Sequence, residues 1–355
     1  MEFLTEYGLF LAKAVTLVVA AIVVISVIVS AAQRDRDSDH DDGELKIRKH
    51  NDKYRKLKES IQPRLMSEKE RKAWQKARKK EDKAEKKAGK AKKKGDQKAD
   101  QESAPRVYVL DFDGDIKASD TDPLRRAITA VLSVANPDRD EVVIRLESGG
   151  GLVHSYGLAA AQLDRIRSKG LRLTACVDKV AASGGYMMAC VADRIVASPF
   201  AILGSIGVVA QLPNFHRLLK KNDVDFEVLT AGEHKRTLTI FGENTDKGRQ
   251  KFLEDLEDTH GLFKDYVSER RPGLDISAVA NGDIWFGKRA LDVNLIDEIQ
   301  TSDEYLIEAC ERADVVSVGY QRKRSLPEKL GLATSTALEH TVWKVLSAFR
   351  NHNIQ

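Results

Sequence analysis

Cysteine is scarce in this chain: of 355 residues only three are cysteines, Cys176, Cys190 and Cys310, and no pair of them has CxxC spacing. An odd number so spaced excludes a disulfide framework and a zinc cluster and leaves buried free thiols. Also missing are a GxxxxGK[ST] phosphate loop, an HExxH helix, a GxGxxG fingerprint and a GxSxG elbow. Their absence removes the commonest nucleotide-dependent, zinc-protease and α/β-hydrolase readings, and no cofactor or metal is implied. Histidine offers no visible triad: His154, His216, His234 and His260 fall where a core forms, without an evident acidic partner. His154 reads as structural or pocket-lining. Net charge is only +4, too small by itself to point to a partner.

That average conceals three regions. One long hydrophobic run exists, AVTLVVAAIVVISVIVSAA from Ala14 to Ala32, about 19 residues without a charge and enough to cross a hydrocarbon core as a helix. Ser30, Ala31 and Ala32 would suit a leader cleavage point, but the run exceeds a usual signal-peptide core, so the expectation is a transmembrane anchor over residues 1–33. Arg34, Arg36, Lys46, Arg48 and Lys49 follow it, while Glu2 and Glu6 precede it. The positive-inside rule then places the bulk of the chain in the cytoplasm.

Residues 34–104 contain KARKKEDKAEKKAGKAKKKGDQK, with too few aliphatic residues to fold alone, and read as a charged, Lys-rich linker that is helical in places. Glu81 and Glu85 with Lys86 and Lys87 nearby support a solvated helix. A polybasic segment next to a bilayer also suits anionic lipid, at about 1 kcal/mol per basic residue. Nucleic acid is disfavoured, because no aromatics interleave with the lysines.

Beyond Pro105 short β-branched runs alternate with amphipathic stretches. VYVLDF, EVVIRLES, LRLTACV, RIVAS and FEVLTA read as strands. Asp122–Ala135, Val153–Lys169, a segment opening near Ser183, and Asn214–Lys221 read as helices. Such alternation predicts an α/β domain with a mainly parallel sheet and ligands at the carboxyl ends of its strands. Glycines gather at those ends: Gly149-Gly150-Gly151, Gly184-Gly185, and Gly204 to Gly207 around Ser205. Each cluster alone is an ordinary tight turn. In VAASGGY, Ser183 stands at a helix start with the Gly184 amide beside it, which serves equally as a helix cap or as a nucleophile next to an oxyanion donor.

Three stretches taken together, RLESGGGLVHSYGLAAAQLDRI, VDKVAASGGYMMACVADRIVASPFAILGSIGVVAQ and LTAGEHKRTLTIFGENT, resemble the signal peptide peptidase A family (peptidase family S49), nearest its SohB branch. The resemblance covers roughly residues 105–300, and the anchor and charged linker are typical of that branch. It implies a ClpP/crotonase-like fold and a serine endopeptidase with a serine-lysine dyad. Carried onto this chain, Ser183 is the nucleophile and Lys235, 52 residues on, the general base. Ser205 orients the lysine, and the amides of Gly184 and Gly151 form the oxyanion hole. Where the family commonly has Ser-Pro-Gly-Gly, this chain has Ser148-Gly149-Gly150-Gly151. Loss of the proline loosens the turn and leaves Gly150 as a second candidate for the amide.

A lysine ammonium cannot accept a proton at neutral pH, so such a dyad requires the site to strip water from Lys235. The amine would take the proton of Ser183 and return it to the leaving amine. The resemblance further implies peptide or protein substrates, such as signal-peptide remnants or other membrane and envelope proteins. It also implies a homo-oligomeric ring in which the lysine reaches a neighbour's serine, and an inner-membrane location with the domain on the outer side, against the flanking charges. Residues 301–355 read as a C-terminal extension in which Leu338, Val342, Leu346 and Phe349 form an apolar helical face. Two other functions fit less of the chain. A crotonase-like acyl-CoA enzyme would need acidic catalytic groups, and an idle membrane scaffold would use only the anchor and linker.

Overall fold

The computed structural model describes Thr16 and residues 43–92, 104–232 and 234–322. The apolar run at 14–32, apart from Thr16, and the apolar repeat from Leu338 to Phe349 lie outside these. Among the described residues no helix is long and apolar enough to cross a membrane. The chain divides into two compact units. Leu45–Tyr320 holds the elements below except the first two residues of β1 and the last two of β10; the other comprises Met1–Glu44 and Gln321–Gln355.

The described part of the charged segment holds β1 (Gly43–Lys49), α1 (His50–Leu65) and α2 (Glu68–Lys92). α2 is a helix in which Glu68 and Lys72 pair at 3.5 Å; the side chains of Glu81, Glu85, Lys86 and Lys87 lie outside those described. α1 is not a free tether. Its Asn51 side chain donates to the carbonyls of Cys310 and Ala313 at 3.2 and 2.9 Å and accepts from the Val315 amide at 2.8 Å.

The expected alternation follows: β2 (Arg106–Gly114), α3 (Thr121–Leu132), β3 (Glu141–Ser148), α4 (Val153–Ser168), β4 (Arg172–Val177), β5 (Val180–Ala182), α5 (Gly184–Ala189) and β6 (Arg194–Ala197). Then come β7 (Ile202–Gly204), α6 (His216–Lys221), α7 (Asp246–Arg270), α8 (Ile276–Val279), β8 (Ile284–Phe286), α9 (Gly287–Asp292), β9 (Glu298–Ile299), α10 (Ser302–Arg312) and β10 (Asp314–Arg322). The sheet runs β1-β10-β2-β3-β4-β6-β9, and β5, β7 and β8 form a short spur from β3. Pairings of β10 with β2, β2 with β3, β3 with β4, and β4 with β6 are all parallel; β7 with β8 is antiparallel. The sheet therefore continues past residue 300, through β10.

Alternate side chains of each strand enter opposite faces. Tyr108, Leu110 and Phe112 join Leu124, Ile128, Tyr156 and Leu163 of α3 and α4 in the larger core. Val107, Val109, Val143, Cys176 and Val196 meet Tyr305, Leu306 and Ala309 of α10 on the other face. Both faces are covered, as a parallel sheet requires.

FEVLTA is not a strand. Residues 224–230 have no regular structure, and Phe226, Val228 and Leu229 are exposed. Alternating apolar residues form a strand only with a neighbour to satisfy their backbone, and their own sheet supplies none here. The short β5, β7 and β8 fall below the length at which periodicity speaks.

Candidate active site

β5 and β7 pair in parallel with Ala182 opposite Gly204, which sets the next residues, Ser183 and Ser205, side by side at the ends of their strands. The Ser183 amide donates to the Gly204 carbonyl at 2.8 Å, and the Ser205 amide to that of Asp283 at 2.7 Å. Both serines have positive φ, 52° and 49°. With ψ at −119°, Ser183 lies outside the left-handed well, a conformation costing of order 1–3 kcal/mol. It occupies the N-cap position of α5, yet its side chain makes no capping hydrogen bond. The hydroxyl is thus left over by the helix, and the cap alternative has no bond behind it.

The glycine-rich turn after β3 closes over this serine. Gly150 has φ of 86°, and a Cβ on it would lie 2.6 Å from the Gly184 nitrogen and 2.8 Å from Ser183 Cβ. Only glycine allows so close an approach at that φ. Gly184 is equally confined, since a Cβ there would stand 2.4 Å from Tyr156 Cγ.

A buried hydrogen-bond chain fixes the turn. The Tyr156 hydroxyl donates to the Asp115 carbonyl at 2.7 Å. Ser148 Oγ, 2.5 Å from the phenol oxygen, then donates to it and accepts from the Gly150 amide at 3.1 Å. Burial raises the Tyr156 phenol above its ordinary value, so the ring keeps its proton and remains a donor. The Gly150 amide is consequently committed. Among the described residues, no acceptor is present for the amides of Gly151 and Gly184. Ser148 belongs to a glycine-rich turn and Tyr156 to the buried face of α4, so local sequence marks neither as part of a site.

Lys235 lies apart from these groups. It is exposed in the irregular segment between α6 and α7, and among the described residues its side chain makes no hydrogen bond or ion pair, with Ser183 or otherwise. A cavity of about 370 Å³ beside it is walled by Phe226, Val228, His234, Arg236 and the start of α7, not by the Ser183 turn. Ser205 Oγ is likewise without a partner among the described residues. Among the described residues no histidine side chain bonds Ser183: His154 is exposed at the start of α4, and His260 contacts the Ile206 carbonyl at 3.2 Å. Among the described residues no three His, Cys, Asp or Glu side chains group so as to hold a metal.

Residues 2–163 match the Peptidase family S49 N-terminal model and residues 165–316 the Peptidase family S49 model. The chain belongs to peptidase family S49. It is a serine peptidase, 50% identical over 330 residues to the probable protease SohB of Haemophilus influenzae, with 93% of this chain and 92% of that one covered. The probable protease SohB of Buchnera aphidicola subsp. Acyrthosiphon pisum is 47% identical over 345 residues, covering 97% of this chain and 98% of the relative. Among solved structures, 1510-N membrane-bound stomatin-specific protease with a substrate peptide aligns at a TM-score of 0.39 and 14% identity, covering 64% of this chain and 97% of that one. That likeness is too distant to bear on the site.

Proposed function

We propose that this peptidase cleaves peptide bonds with Ser183 as nucleophile and Lys235 as general base. The observation that carries the reading is the uncommitted hydroxyl of Ser183, held at strained φ and ψ beside the uncommitted amides of Gly184 and Gly151. The neutral lysine amine removes the Oγ proton as Oγ attacks the scissile carbonyl carbon. The two amides bind the oxygen as it gains charge. The ammonium then protonates the leaving amine, and water, deprotonated by the same amine, releases the acyl group and regenerates the serine. Ser205 Oγ holds the lysine in line. The commitment of the Gly150 amide to Ser148 favours Gly151 as the second donor.

The base has to be brought to this site and stripped of water. Phe226, Val228, Leu229 and Phe241 are exposed on the segment that carries Lys235, an apolar surface suited to burial against a second copy in a homo-oligomeric ring. In that arrangement the lysine of one protomer serves the serine of the next. The apolar run at 14–32 anchors the chain in the bacterial inner membrane, and signal-peptide remnants or other membrane and envelope proteins are the substrate class. A C-terminal reporter fusion read on both sides of the membrane assigns the face of the domain.

Ser183→Ala and Lys235→Ala should each abolish hydrolysis of a peptide substrate by the purified full chain while leaving its melting temperature unchanged. A fluorophosphonate should label wild type and not Ser183→Ala. Retained hydrolysis in Lys235→Ala contradicts the dyad, and labelling of Ser183→Ala contradicts the nucleophile.

A further inference from the structure

A second site lies on the far side of the sheet from α3 and α4. Asp111 and Arg145 are adjacent in the β2–β3 register and fall on the same face as Val109 and Val143, beyond the reach of α10. There β1, the first turns of α1 and the end of β10 enclose a cavity of about 870 Å³. Six cations line it, Lys46, Arg48, Lys49, Lys53, Lys56 and Arg145, against two carboxylates, Asp52 and Asp111.

Both carboxylates are already engaged, Asp111 with Arg145 Nε at 2.6 Å and Asp52 with Arg55 at 2.7 Å. Among the described residues no carboxylate pairs with Lys46, Arg48, Lys49 or Lys56. The 16-residue α1 opens into the same cavity with Lys49 as N-cap and no side-chain cap bond, so its first-turn amides add to the positive field. His50 on the cavity wall is only 8% exposed. Its Nε2 is tied to Ser317 Oγ at 2.5 Å, while Nδ1 is buried without a hydrogen-bond partner. Burial first, and then the charges of Arg145 and Lys53, hold this imidazole below its ordinary value, as expected in a positive field.

Buried polar atoms without partners are rare in folded proteins, and here one sits in the wall of a cavity lined by six cations. We propose that this cavity binds a terminal phosphate group, with the lysines neutralising the charge and the α1 amides donating to the oxygens, and with the His50 imidazole in the wall sensing the bound charge. The chemistry is shared by an anionic lipid headgroup and a soluble phosphate. The site is separate from the Ser183 turn and does not depend on the dyad.

The full chain, labelled with nitrogen-15 at histidine and held in neutral detergent, is titrated with dihexanoyl phosphatidic acid, dihexanoyl phosphatidylcholine and inorganic pyrophosphate. One equivalent of phosphatidic acid or pyrophosphate should saturate a shift of the His50 Nδ1 resonance, while phosphatidylcholine leaves it in place. Response to phosphatidic acid alone identifies a headgroup, and response to pyrophosphate a soluble phosphate. Lys49→Glu with Lys53→Glu should weaken binding by about tenfold or more. Reversal of two α2 lysines outside the cavity, Lys69→Glu with Lys79→Glu, should change it by less than about twofold. Lys46→Glu with Lys56→Glu repeats the test should the first pair disturb the fold. An unmoved His50 resonance with both phosphate probes overturns the site. So does equal weakening by the α2 pair, or an equal response to phosphatidylcholine.

Discussion

The turn that carries Ser183 is held from every side, whereas the segment that carries Lys235 is held by little of its own chain. Gly184, Gly185 and Tyr186 are buried, and the neighbouring glycines leave no room for a Cβ on either side. A chain of hydrogen bonds from Asp115 through Tyr156 and Ser148 ends at the Gly150 amide. Among the described residues between Asp223 and Thr245, by contrast, there is no regular structure, and several large apolar side chains face solvent. Strain persists only where the surroundings over-determine it, which is the situation of Ser183. An apolar loop without a packing partner is in the opposite state and awaits one. The proposed nucleophile is thus a property of the folded protomer, and the proposed base a property of what the protomer meets.

The comparison breaks most severely if the loop surface is not an interface. Phe226→Asp with Leu229→Asp should convert the proposed oligomer to monomer in sedimentation and lower kcat/KM by roughly a thousandfold, with the melting profile of the α/β unit retained. Next comes the nucleophile side. Gly184→Ala puts a methyl against the Tyr156 ring and should cost about 1–3 kcal/mol in denaturant unfolding. It should also lower kcat by about a hundredfold through the displaced amide.

A smaller effect sharpens the part played by the hydrogen-bond chain. Tyr156→Phe removes the phenol that Ser148 donates to, freeing Ser148 to release the Gly150 amide. It should lower kcat by about tenfold with KM unchanged, at a stability cost of about 1–2 kcal/mol. A rise in KM with kcat intact would show that the turn shapes substrate binding instead. Least affected should be activity after thiol alkylation. Burial pushes the Cys190 thiol up to about 12 and raises Cys176 also, so at pH 8 neither is a thiolate and iodoacetamide should leave hydrolysis unchanged.

The long strands and helices were legible because burial on one or both faces writes a period into the sequence. EVVIRLES is β3 over its full length, and Val153–Ser168 ends within a residue of the expected helix. Ser183 and its glycines were legible as a motif. Their geometry was not, because it arises from the β5–β7 spur, whose three-residue strands carry no periodicity. FEVLTA shows the reverse failure: a convincing alternation with no strand to pair in its own chain. The fixing of Gly150 depends on Ser148 and Tyr156 converging from a strand end and a helix eight residues apart, a contact that local pattern does not announce. The cavity under β1 was hidden for a related reason. Its lysines looked like part of a solvated tether, and only packing of Asn51 against β10 and α10 turns them toward one space.

The sharpest test of a built nucleophile and a delivered base is complementation between two inactive chains. Ser183→Ala and Lys235→Ala proteins carrying different tags are co-expressed, mixed oligomers are isolated through both tags, and peptide hydrolysis is measured against each parent. With the lysine of one protomer serving the serine of the next, mixed oligomers should recover roughly a quarter of wild-type activity. Mixed oligomers as inactive as either parent would contradict delivery of the base from a neighbouring protomer.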